Sequence, residues 1–283
     1  MRSMSLYGFP LYHVDAFSKK PFAGNPAAVC ILEETFQDSV LQSIAAEMNL
    51  SETAFLLAHE RKSIVEEHVF SLRWFTPKTE VDLCGHATLA TAAVLFYDVG
   101  VSAGEIAFET RSGILTARRE EDGILLSVPS YATRCVDPDN ELLEAAGITD
   151  FKSVYSSRKS KDLLVLMKNE ETVRNLKPDF DRLRSLEMPE TIEAIIVTAN
   201  GHSPYDFVSR CFAPWVGIDE DPVTGAAHAV LAPFWSEILK KKEMRAFQAS
   251  ERGGELRVKI LAPDRVALVG NAVIVSKGEL RLS

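Results

Sequence analysis

Three short clusters in the chain have residue types that could move a proton. Cys84-Gly85-His86 sets a thiol and an imidazole on either side of a glycine that opens an apolar run. Asp221-Pro222-Val223-Thr224-Gly225-Ala226 sets a carboxylate four residues before a second such glycine. Glu52 lies in Asn49-Leu50-Ser51-Glu52-Thr53, a polar break between a helical pattern and an apolar strand pattern. A glycine at a helix start leaves the first backbone amides bare, and those amides with the helix dipole suit a carboxylate or phosphate.

Each cluster has two readings. At a helix start the dipole disfavours protonation, so His86 reads as a neutral acid or base, or else as a histidine bonded to a backbone carbonyl. Asp221 reads as a turn and capping residue, or as a carboxylate facing the site opposite His86. Glu52 reads as a solvent-facing turn residue. Held against apolar neighbours such as Phe55, it would instead have a raised pKa and carry a proton. Cys84 reads as a thiol base whose pKa the helix terminus lowers. Cys84 and His86 alone do not define a metal site, because no second ligand cluster lies at suitable spacing, so no metal is expected. The chain has no glycine-rich dinucleotide loop and no Walker lysine loop, and no cofactor is expected.

The elements that position these residues form a repeat. Arg73-Trp74-Phe75-Thr76-Pro77 returns as Arg210-Cys211-Phe212-Ala213-Pro214, and each copy leads through an acidic stretch to one of the two glycines. Downstream, Ser112-Gly113-Ile114-Leu115 is echoed by Gly253-Gly254-Glu255-Leu256. A repeat this long implies two halves of one architecture. The run from His86 to Phe96 is Ala, Thr, Leu and Val with almost no polar face, which predicts a helix buried on most sides. Ala226 to Leu239 predicts a second, interrupted by Pro233. Alternating segments at Leu11–Phe17, Phe70–Phe75, Gly113–Ala117, Gly123–Val128, Phe207–Phe212 and Leu256–Ile260 predict strands, and Leu41–Met48 an amphipathic helix. The polar stretch Pro129 to Asn140 reads as a linker. The expected fold is α+β with two pseudo-symmetric domains, residues 1–128 and 129–283. Each is a mostly antiparallel sheet around a central apolar helix, and the last strand is a candidate to pair back onto the first domain.

Composition narrows the partners. The 283 residues carry a net charge of −9 and are 46% hydrophobic, which argues for a globular chain and against a nucleic-acid partner. No apolar stretch is long enough for a membrane span. The four cysteines have no framework spacing and read as reduced thiols of a cytoplasmic protein.

Together the motifs resemble the family of the phenazine-biosynthesis isomerase PhzF, nearly end to end. The resemblance rests on Val14-Asp15-Ala16-Phe17, Gly24-Asn25-Pro26, Asn49 to Phe55, Arg73-x-Phe75-Thr76-Pro77, Cys84-Gly85-His86-Ala87-Thr88 and Glu220 to Gly225, in that order. It implies a diaminopimelate epimerase-like fold of two barrel-like domains, with the site in the cleft. It implies that Glu52 is the proton-carrying acid/base, with His86 and Asp221 orienting substrate. It further implies substrate binding by Asn25, Ser51, Cys84 and Gly85 and by Thr224, Gly225 and Ala226. The substrate would be a small carboxylate-bearing metabolite, no cofactor would be used, and a homodimer is the implied assembly. Two departures stand out. Ala226 occupies the place where the family often has serine, and the second motif presents Asp221 and no thiol, which disfavours a two-thiol racemase. Other readings are an epimerase or racemase using Cys84 with Asp221, and a binding or scaffold protein that kept the fold without turnover.

Overall fold

The computed structural model describes residues 7–58, 64–186 and 192–282. In chain order the first part holds strands β1 (Tyr7–Ala16) and β2 (Asn25–Leu32), helix α1 (Asp38–Met48), strands β3 (Glu52–Leu57), β4 (Val69–Phe75) and β5 (Glu80–Val81), helix α2 (Gly85–Ala93), and strands β6 (Glu105–Thr110), β7 (Gly113–Glu120) and β8 (Gly123–Pro129). Next come β9 (Arg134–Val136), α3 (Asn140–Ala145), β10 (Phe151–Ser157), β11 (Asp162–Met167), α4 (Glu170–Arg174), α5 (Phe180–Ser185), β12 (Ala194–Asn200), β13 (Phe207–Ala213) and β14 (Ile218–Asp221). The chain closes with α6 (Gly225–Leu239), β15 (Glu243–Gln248), β16 (Gly254–Ala262), β17 (Arg265–Gly270) and β18 (Ala272–Leu282). It divides into two compact units. Unit 1 is Met1–Ser127 with Gly270–Ser283, and unit 2 is Val128–Val269. Among the described residues no helix is long and apolar enough to cross a membrane.

Each unit builds its sheet in one pattern. In unit 1 the strand order is β18-β1-β2-β3-β4-β6-β7-β8, with β5 added to β4. In unit 2 it is β9-β10-β11-β12-β13-β15-β16-β17, with β14 added to β13. Both sheets are antiparallel except at two matched places. These are β2–β3 and β4–β6 in unit 1, and β11–β12 and β13–β15 in unit 2. Parallel neighbours need a crossover. In the second pair of each unit, the crossover contains the central helix α2 or α6.

Strand alternation gives each sheet two apolar faces. In unit 1, Cys30, Leu32, Phe55 and Phe75 pack with Leu41, Ile44 and Ala45 of α1. In unit 2, Val165, Ile195, Val197, Val208 and Phe212 pack with Leu142, Leu143 and Leu183 from α3 and α5. The other face takes the central helix. Every residue of α2 is buried, and α6 lays Trp235 on the sheet, its Nε1–H donating to Thr198 Oγ1 at 2.9 Å. Burial on all sides is what an Ala- and Thr-rich helix without a polar stripe requires.

Two expectations from the sequence are corrected. Helix α6 runs unbroken through Pro233. Proline cannot donate to the Ala229 carbonyl four residues back, but the Tyr131 N–H donates to that oxygen at 3.1 Å, so it is not left unpaired. The stretch read as a linker contains β9, whose Cys135 pairs with Tyr155 of β10. Its polar composition masks the strand because all three residues of β9 are partly or wholly exposed.

Candidate functional site

Glu52 is the first residue of β3, and parallel pairing sets it across from Ala27 of β2. Asn25 begins β2 two residues earlier, on the same face, and is fully buried. The turn before it depends on Gly24, with φ at +73°, where a Cβ would meet the Ala16 carbonyl oxygen at 2.1 Å. Helix α2 covers this face and delivers Cys84, its N-cap residue, and His86, in its first turn. The result is a buried cluster. Glu52 Oε2 lies 3.1 Å from His86 Nε2. On the other side of the ring, Asn25 Nδ2 lies 3.1 Å and Cys84 Sγ 3.5 Å from Nδ1.

Burial opposes protonation of His86, yet the charges of Cys84 and Glu52 outweigh it and hold the imidazole well above its usual range. Cys84 itself is pushed up to about 11, first by burial and then by the Glu52 charge, so it is a neutral thiol at pH 7. Of the two partners, Glu52 lies against the other ring nitrogen and also raises the imidazole. This corrects the reading of His86 as neutral, because an ion pair at 3.1 Å outweighs a partial dipole charge. It also corrects Cys84, which burial makes a poor thiolate base. Phe55 is not the neighbour that matters to Glu52: three residues apart on a strand, the two side chains point to opposite faces, and Phe55 sits in the α1 core.

Glu52, Cys84 and His86 offer three donor atoms within 4.8 Å of one another, although the sequence showed only two ligands. The two contacts fall on opposite nitrogens of one ring, so the layout is that of a proton path through the imidazole rather than of three donors converging on one point. A charged ring donates from both nitrogens and calls for the Asn25 amide oxygen at Nδ1, whereas a neutral ring accepts from its NH2. Ser51, half-buried, immediately precedes Glu52 in the bend between α1 and β3.

Unit 2 assembles the other predicted residues at the start of α6. Thr224 is the N-cap residue, Gly225 and Ala226 open the helix, and Asp221 ends β14. The Thr224 hydroxyl donates to Asp221 Oδ2 at 2.5 Å. Gln248, fully buried, ties this turn down: its Oε1 accepts from the Thr224 N–H at 2.9 Å and its Nε2 donates to the Asp221 carbonyl at 2.7 Å. Sequence reasoning missed Gln248, since nothing local marks a glutamine at the end of a strand. It also missed the thiol near the second motif. Cys211 pairs in register with Asp221, and burial, then the charges of Asp221 and Asp162, raise it well above the usual thiol range.

Both central helices start without a side-chain cap, whereas Asp139, Asn169 and Asp179 cap α3, α4 and α5. In both, the fourth residue folds back on the N-cap carbonyl. Thr88 Oγ1 donates to Cys84 O at 2.6 Å, and His228 Nδ1 donates to Thr224 O at 2.8 Å. Polar side chains at these helix starts thus serve carbonyls, and neither N-cap residue closes its helix with a side-chain cap, which suits an anionic ligand. The repeated arginine braces each turn. Arg73 grips Glu80 at 2.7 and 2.8 Å, and Arg210 grips Glu220 at 2.7 and 2.9 Å, each guanidinium over the phenylalanine two residues on.

The sheet-dominated α+β fold is epimerase-like. A hydroxyproline epimerase from Agrobacterium vitis superposes with a TM-score of 0.60 at 13% identity over 99% of this chain and 93% of that one, a likeness of fold alone. The particular family follows from closer matches. Residues 14–278 match the family described as phenazine biosynthesis-like protein, and the chain belongs to that family. A phenazine biosynthesis protein of the PhzF family from Enterococcus faecalis superposes with a TM-score of 0.88 at 41% identity, covering 98% of this chain and 100% of that one. A protein of Halalkalibacterium halodurans named an uncharacterized isomerase is 47% identical, covering 96% of this chain and 98% of that one. Family and fold support an isomerase or epimerase role.

Proposed function

We propose that this protein is a cofactor-independent isomerase that moves a proton between carbons of a small carboxylate-bearing molecule, with Glu52 as the acid/base. One observation carries the reading: the Glu52 carboxylate meets the His86 ring at 3.1 Å beside the uncapped start of α2. In the step, Glu52 takes the proton from a carbon activated by the substrate carboxylate. The electron pair of that C–H bond moves into an enolate-like system, and Glu52 returns the proton to a second carbon. The amides of Gly85 and His86 hold the carboxylate, and the charged His86 stabilises the developing negative charge. No electron enters or leaves, so the step calls for no redox group.

In unit 2, Asp221, Thr224, Gly225 and Ala226 form a second helix start suited to an anion, where the Ala226 amide serves in place of a serine hydroxyl. Thiol-based epimerisation by Cys84 is disfavoured by its pKa of about 11. The free thiols Cys30, Cys84, Cys135 and Cys211 support a reducing, cytoplasmic setting.

The test screens small carboxylic acids for exchange of a carbon-bound hydrogen in D2O. An acid that exchanges with the wild type should exchange about 10² to 10⁴ times more slowly with folded Glu52→Gln. Equal exchange in that variant removes Glu52 from the role. An acid that binds but exchanges with neither protein favours a binding function instead, and full activity of Cys84→Ser excludes the thiol mechanism.

A further inference from the structure

Pairing registers allow the two units to be aligned residue by residue. Phe75 pairs with Thr53 and Phe212 with Ile195, and the two phenylalanines are the same residue of the doubled pentapeptide. Glu52 therefore corresponds to Ala194. Across the parallel partner strand, Ala27 lies opposite Glu52, and Asp162 lies opposite Ala194. Carboxylate and alanine have exchanged strands between the halves. In unit 1 the acid is on β3; in unit 2 it is on β11, at the same level of the sheet and on the face that the central helix covers. The Trp235–Thr198 bond fixes that face, since Thr198 lies four residues along β12 from Ala194.

Asp162 is only 7% exposed, and its Oδ2 has no hydrogen-bond partner. Ser157, paired in register with it on β10, is fully buried and its Oγ has none either. A buried carboxyl oxygen without a partner is costly to keep unless it serves something. We propose that Asp162 is the counterpart of Glu52 in unit 2, a positioning residue that sets the charge and hydrogen bonding of Cys211, Thr224 and Asp221 at the α6 start. This rests on the reading of that helix start as a substrate-carboxylate site.

The groups around Asp162 agree. Its charge raises both Cys211 and the half-buried Tyr131, and Cys211 in turn feels Asp221, Glu220 and the Thr224 hydroxyl. Burial pushes Asp162 up to about 7, with the Glu193 charge adding to the rise and Ser160 opposing it. Below that pH the surroundings of Cys211 hold one fewer negative charge; above it, Asp162 ionises and adds to the charges of Asp221 and Glu220 against an incoming carboxylate.

The first test needs no turnover. In full-length protein labelled with 13Cγ-aspartate, one carboxyl should titrate near pH 7 and vanish in Asp162→Asn. The Asp221 signal, assigned through Asp221→Asn, should show an inflection in the same window that Asp162→Asn abolishes. Asp162→Ala, which copies the Ala27 position, serves if the asparagine variant does not fold. All aspartates titrating below pH 5, or an Asp221 curve unchanged by both variants, would overturn the proposal. These readings stand apart from catalysis, so failure to find an exchanging acid would sink the isomerase reading alone. Where an acid does exchange, its KM should rise several-fold through pH 7 and then level off in the wild type and stay flat in Asp162→Asn, with kcat unchanged. The same rise in both proteins would also count against Asp162.

Discussion

The two central helices begin on the same scaffold and carry opposite electrostatics. At the start of α2, Glu52 and His86 form a buried ion pair, and the imidazole is held well above its ordinary range. At the start of α6, Ala226 replaces that histidine, and the nearby His228 is pushed down to about 4 by burial, despite the bond to the Thr224 carbonyl. One half keeps a charged pair, while the other keeps a neutral ring tilted against Phe207 and a web of hydroxyl and amide bonds. The helix start is repeated in both units, while side-chain replacement leaves a carboxylate–imidazole pair at one and a histidine of lowered pKa at the other.

The braces behind the helix starts give the largest expected break in this symmetry. Arg210 is nearly buried and donates to the Val173 and Leu176 carbonyls as well as gripping Glu220. Replacing it with methionine takes the guanidinium from a half-buried carboxylate and from two carbonyls inside the unit. Arg210→Met should lower unfolding stability by about 3–5 kcal/mol in urea titrations. The Arg73 side chain is 31% exposed and shares Glu80 with Arg111, so Arg73→Met should lose about 1 kcal/mol or less. Equal losses would mean that the two braces do the same work.

A smaller effect concerns Asp162. Its folded pKa, raised from 3.8 to about 7, means that the native state holds a proton which the unfolded chain releases. Stability is therefore lost as pH rises from about 4 to about 7, by at most about 1.4 kcal/mol for each pH unit crossed. Asp162→Asn removes that loss, so relative to wild type it should be more stable at pH 8 than at pH 4.5 by a few kcal/mol. A gap that does not change with pH would show that Asp162 is ionised throughout.

A further pH-dependent stability effect is expected for Glu52→Gln. The raised His86 pKa contributes stability that is complete below about 6.5 and is lost as pH rises through the folded value. The wild type should exceed Glu52→Gln by about 1–3 kcal/mol near pH 6 and converge with it at alkaline pH.

Much of this was legible in the sequence because it is local. Helical and alternating periods marked α2, α6 and the main strands, and the doubled pentapeptide marked the duplication. What was not legible depends on register. Nothing near Glu52 says that parallel pairing with β2 will set it beside Asn25 and under His86, and nothing near Asp162 says that the same pairing buries it. Pro233 misled because the rule for proline concerns the carbonyl it leaves free, and the partner of that carbonyl is the distant Tyr131. His86 misled for a similar reason: its charge is set by a carboxylate far away in sequence, not by its own helix.

The central claim is that Glu52 keeps His86 charged while His228 stays neutral, and histidine NMR of 15N-labelled protein reads this directly. At pH 7 both ring nitrogens of His86 should carry protons and His228 should show a single protonated nitrogen, and Glu52→Gln should return His86 alone to the neutral form. A neutral His86 in the wild type, or a His86 signal indifferent to Glu52→Gln, would contradict the account.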